Sequence, residues 1–132
     1  MRQFGQPPSA EEIEEIAREA LARLPEPFVT TARQIVLRVE DFADDETLKA
    51  MGIDDPFELS GLYEGVPLTE RSVEQSGTMP ERILLFRRPL LDEWADGEHS
   101  LERLVHHVVM HEVGHHFGLS DEDIHALEDA AP

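Results

Sequence analysis

Four side chains late in the chain are of the types, and at the spacing, that metal chemistry requires. They lie in His111-Glu112-Val113-Gly114-His115-His116-Phe117-Gly118-Leu119-Ser120-Asp121. Residues i and i+4 of a helix leave from one face, about 6 Å apart along the axis. Two imidazoles so placed, His111 and His115, can converge on one ion at Zn–N distances near ~2.0–2.1 Å. Glu112 sits between them around the helix, where its carboxylate reaches a water on the metal rather than the metal itself. This is the H-E-x-x-H arrangement of zinc-dependent hydrolysis. The chain holds 7 histidines and 29 acidic residues, so the short pattern alone carries limited weight. Its extension through Gly118 to Asp121, H-E-x-x-H-x-x-G-x-x-D, carries far more.

The element that must position these residues is legible upstream. Leu101, Leu104, Val105 and Val108 form an apolar stripe with helical period. Continuing it by three and four residues lands on His111, Glu112 and His115, which turns the trio toward the side the helix otherwise buries. Burying unpaired ionisable groups costs several kcal/mol, so a partner such as a metal is the economical reading. The helix is expected to start between Gly97 and Leu101 and to end near Phe117, with Gly118 breaking it in a left-handed conformation.

The rest of the chain supplies a scaffold. At 132 residues it is expected to form a single domain, 1–132, and no run approaches the ~18 apolar residues of a membrane span. The start, Met1 to Ser9, lacks the basic and apolar regions of a secretory signal, so the cytoplasm is the expected compartment. Cysteine is absent, which excludes disulfides and thiolate ligands. The net charge of −18 repels phosphate backbones and anionic membranes, so no nucleic-acid or membrane partner is expected.

Along the chain, Ser9 and Glu12 make a capping box before an amphipathic helix carrying Ile13, Ile16, Ala17, Ala20, Leu21 and Leu24. Glu14–Arg18 and Glu19–Arg23 add i,i+4 pairs, and Pro25 and Pro27 stop it. Gln34 to Val39 reads as a strand with Ile35, Leu37 and Val39 on one face. A short helix is expected around Glu46–Met51, ended by Gly52. Ser60 to Val66 reads as a short strand limited to an edge by Pro67, and Thr69 to Glu81 as a loop that could border a cleft. Arg82 to Arg87 is a further strand, Pro89 to Trp94 a short helix, and Asp121 to Glu128 a last one.

With the motif on a helix after these strands, the chain resembles the zincin clan of metallopeptidases. More narrowly it resembles the family of small bacterial zincin-like metallopeptidases with H-E-x-x-H-x-x-G-x-x-D. That likeness continues through MGIDDPFELSGLYEGVPLTERSV and PERILLFRRPLL and covers roughly Arg33 to Asp123. The resemblance implies a minimal α+β zincin fold: a small mixed sheet packed beside a central zinc-binding helix, with an N-terminal amphipathic helix. It implies one Zn2+ per chain held by His111, His115 and Asp121, with Glu112 as general base on the attacking water. Larger metzincins have a third His where Asp121 stands and a Met-turn after the motif. Met1, Met51, Met79 and Met110 all precede His111, so that turn is absent.

Two rivals to Asp121 lie downstream. Glu128 stands thirteen residues after His115, which leaves little chain for a turn and a returned helix, and His125 would likewise need more chain. The spacing through Gly118 therefore selects Asp121. His107 shares the face but lies about 12 Å along the axis from His115, too far to share one ion with it. It reads as a surface or supporting residue. His116, His125 and Tyr63 are candidates for oxyanion stabilisation. The expected activity is a zinc-dependent endopeptidase acting on a peptide or protein substrate, with the oligomeric state open. The alternatives are a zinc-binding interaction protein without turnover and an RNA-processing hydrolase, against which both the charge and Glu112 count.

Overall fold

A computed structural model describes residues 6–26, 28–65 and 81–130. Local signals set most of its elements. The Ser9 hydroxyl accepts from the Glu12 amide at 3.2 Å and opens α1 (Ala10–Ala22), whose Ile13, Ile16, Ala17, Ala20 and Leu21 are buried. On its outer face Glu14 pairs with Arg18 at 2.9 Å. At the next turn the expected side-chain pair is replaced by a backbone contact, since Arg23 Nε donates to the Glu19 carbonyl at 3.2 Å. Arg23 is the C-cap residue, where carbonyls without an intrahelical partner compete for a guanidinium. A short α2 (Phe28–Ala32), not anticipated from periodicity, follows and buries Val29 and Ala32. Five residues are too few to display a helical period.

The strand expected over 34–39 forms two residues later, as β1 (Val36–Glu40), with Leu37 buried and Val36 exposed as the alternation requires. Then come α3 (Asp45–Met51), capped by Asp44 and closed by left-handed Gly52, and a 3-10 turn at Pro56–Glu58. β2 (Gly61–Glu64) and β3 (Arg82–Phe86) complete the sheet. The expected loop at 69–81, apart from Glu81, and the ends of the second strand, Val66 and Pro67, lie outside the described residues. α4 (Arg87–Asp96) starts two residues before its expected Pro89. α5 (Leu101–Phe117) and α6 (Asp121–Ala130) follow.

The sheet order is β1-β3-β2, with β1 parallel and β2 antiparallel to β3. The central place of β3 explains why its Ile83-Leu84-Leu85-Phe86 run is continuously apolar rather than alternating: a strand covered on both faces needs no polar side. Ile83 and Leu85 join the main core with α1 and α5, while Leu84 and Phe86 pack with Ala43, Leu48 and Leu59 on the opposite face. The architecture is α+β, a small mixed sheet with helices about it. Helix α5 crosses the main-core face, burying Leu101, Val105, Val108, Val109, Met110 and Val113. Among the described residues no helix is long and apolar enough to cross a membrane.

Candidate metal centre

Helix α5 begins at Ser100, whose hydroxyl accepts from the Arg103 amide at 3.1 Å. It ends where Gly118, at φ 69°, donates its amide back to the last turn, and the Leu119 amide closes on the Gly114 carbonyl at 2.9 Å. This left-handed cap reverses the chain within three residues. Ser120 then caps the next helix, accepting from the Asp123 amide at 3.2 Å. Helix α6 runs back along α5, so that Ile124 faces Gly114, His125 approaches His111 and Glu128 meets His107.

Gly114 makes that approach possible. A Cβ there would lie 2.3 Å from Ile124 Cγ1 and 2.4 Å from its Cδ1, and Ile124 is itself buried. Gly114→Ala is expected to destabilise the fold. Overpacking costs about 1–3 kcal/mol, against roughly 1 kcal/mol regained from alanine's helix propensity. A thermal melt checks this, and an unchanged or higher Tm would show that α6 is not packed as described.

Around this hairpin the four motif residues occupy different environments. Glu112 is buried, 8% exposed, beside β2. A side chain at Gly61 would strike Val108 and approach Glu112, so the glycine brings the strand against this part of the helix. Burial pushes the Glu112 carboxyl above its ordinary value, and His115 and the Tyr63 backbone amide pull it partly back. A raised carboxyl is a better match to proton transfer near neutrality than an exposed one. His111 is half-buried and held below the ordinary histidine range, first by burial and then by neighbouring His107. That favours the neutral imidazole a metal needs. His115 is 55% exposed, with Nδ1 3.3 Å from Glu112 Oε1. The stripe thus turned Glu112 inward as expected and left His115 outside. Asp121 is exposed at the first position of α6, near enough that its charge is felt at His111.

Two imidazoles and a carboxylate are the donor set zinc accepts, so the residues fit the ion in kind. As placed, no three His, Asp or Glu among the described residues are gathered closely enough to hold a metal. Contrary to the expectation from chain length, His125 and Glu128 do reach this face of α5. Gly118 turns the chain so tightly that α6 returns at once, placing the His125 ring 6.3 Å from His111 and Glu128 Oε1 2.8 Å from His107 Nδ1.

Of the oxyanion candidates, His116 is 2% exposed. Its Nδ1 lies 3.2 Å from the Tyr63 hydroxyl, which also bonds Glu81. Both residues tie β2 to the inner side of α5. Neither lines the shallow cleft of about 310 Å³ over Glu112, which is walled by Glu58, Leu59, Ser60, Gly61, Glu93, His107, Val108 and His111. Sequence reasoning missed the Tyr63 amide as a partner of Glu112, because a backbone donor leaves no trace in residue type.

A helix-borne H-E-x-x-H with a buried Glu, set against a small mixed sheet, defines a zincin-like class of protein. Residues 32–131 match the zincin-like metallopeptidase family, and the chain belongs to it. No curated protein matches the chain.

Proposed function

We propose that the chain is a zinc-dependent endopeptidase in which His111, His115 and Asp121 hold one zinc ion and Glu112 is the general base. The observation that carries this reading is the Glu112 carboxyl. It is buried under a cleft, between two histidines one turn apart, with its pKa raised by that burial. A helix serving only to pack would place an apolar side chain there, since a buried carboxyl is costly.

Zinc in this position supplies Lewis acidity and lowers the pKa of water toward ~7. Glu112 takes the proton of the attacking water at its carboxylate and passes it to the amine as the C–N bond breaks. The Tyr63 amide and His115 orient the carboxylate during both transfers. Strand β2 is an edge of the described sheet, and its first residue, Gly61, borders the cleft. A peptide adding to that edge in extended form would run past Glu112.

Zinc-loaded and chelator-stripped protein, compared on a proteome-derived peptide library, tests the proposal. Cleavage only by the loaded form is expected. Tight zinc binding with no cleaved peptide would leave the interaction-protein reading in its place. For the third ligand, Asp121→Ala is expected to weaken zinc binding by more than the roughly 10–100-fold that loss of an outer partner costs. His125→Ala and Glu128→Ala should change the affinity little. A titration in which His125→Ala is the damaging variant would transfer the role to that residue.

A further inference from the structure

We propose that His107 and His111 form a second, weaker site for a divalent transition metal, oriented by Glu128 and mutually exclusive with the motif site. The exclusivity rests on the reading of His111 as a zinc ligand, because the two sites share it. His107 precedes His111 by four residues, so this pair repeats the spacing of His111 and His115. Its rings stand 4.7 Å apart between centroids, inclined at 64°. Two imidazoles on one tetrahedral zinc, with Zn–N near ~2.0–2.1 Å, have centroids roughly 5 Å apart. The observed separation of the rings is close to that of a chelating pair.

The second observation is the partner of His107. Its Nδ1 lies 2.8 Å from Glu128 Oε1. A carboxylate in that place accepts a hydrogen bond from Nδ1–H, which fixes the tautomer and leaves the Nε2 lone pair available. Metal-ligating histidines use this carboxylate–imidazole arrangement, and it raises their basicity. The third observation is the surroundings. His107 and His111 both line the cleft over Glu112, whose walls also carry Glu58 and Glu93 and no Lys or Arg. A cation entering there meets carboxylates and imidazoles and no cationic side chain.

Imidazole donors suit zinc, nickel and copper alike, with water completing the coordination. Two protein donors bind less tightly than three, which makes this the weaker site. Metal held by His107 and His111 deprives the motif site of a ligand, so the ladder of His107, His111 and His115 gives one ion two alternative positions along α5.

Zinc titration by calorimetry on the full chain tests this in four proteins: wild type, His115→Ala, His115→Ala/His107→Ala and His115→Ala/Glu128→Gln. His115→Ala is expected to bind zinc more weakly than wild type while keeping one measurable site. Adding His107→Ala should weaken that residual site more than about tenfold, and adding Glu128→Gln by about tenfold. Equal affinity in His115→Ala and His115→Ala/His107→Ala would overturn the second site. Equal affinity in wild type and His115→Ala would instead overturn the motif site and the function built on it. The side chains of His107, Glu128 and His115 are 46%, 21% and 55% exposed, so the variants are expected to fold, which circular dichroism verifies.

Discussion

Glu112→Gln is expected to retain zinc and the native fold while losing hydrolysis by about 10²–10⁴-fold, the usual worth of a general base. Glutamine keeps the shape and can still accept from the Tyr63 amide, so the contact between β2 and α5 survives. It also carries no charge into a site where burial already disfavours one. The fold should therefore be no less stable, and the loss of activity can be assigned to the missing proton acceptor. The measurement is a comparison of cleavage rates on any peptide that the wild type cuts, together with zinc content by elemental analysis. Equal rates would remove Glu112 from the chemistry. Lost zinc in the variant would mean that the carboxylate is a ligand.

The second large effect concerns His111. His111→Ala is expected to lower zinc affinity by at least about 10²-fold, the upper end of what even an outer partner contributes. It should be the most damaging of the single histidine substitutions. The reason is its place in the ladder. His111 lies one turn from both His107 and His115, with the α6 ring of His125 beside it, so no remaining pair on α5 has i,i+4 spacing once it is gone. His111 is only half-buried, and its removal leaves the core residues Val108, Val109 and Val113 in place. Unchanged circular dichroism with lost metal is the expected pair of results. Full zinc stoichiometry in this variant would place the metal elsewhere.

The sequence by itself determined the helix that carries the motif. Its period and the Gly118 stop are signals within a few residues, and the structure places the helix at Leu101–Phe117, with Ser100 as its cap. For the same reason α1 and the strand at Arg82–Phe86 were legible, and the family and its α+β fold followed from the motif's context. Elements without a local signature were not. Helix α2 is too short to show a period, and the start of β1 depends on pairing with β3 rather than on its own residues.

Within the site, spacing alone brought His111, Glu112 and His115 onto one turn of helix. The apolar stripe turned Glu112 inward, but it did not reveal that His115 stays exposed, which depends on where β2 crosses the helix at Gly61. Nor did it foresee that α6 folds straight back through Gly114 to set Glu128 on His107 and His125 beside His111. Those contacts depend on the Ile124 side chain of α6 filling the space that a Cβ on Gly114 would occupy. Such a fit is set by the packing of elements against each other, and the order of residues along either one does not contain it.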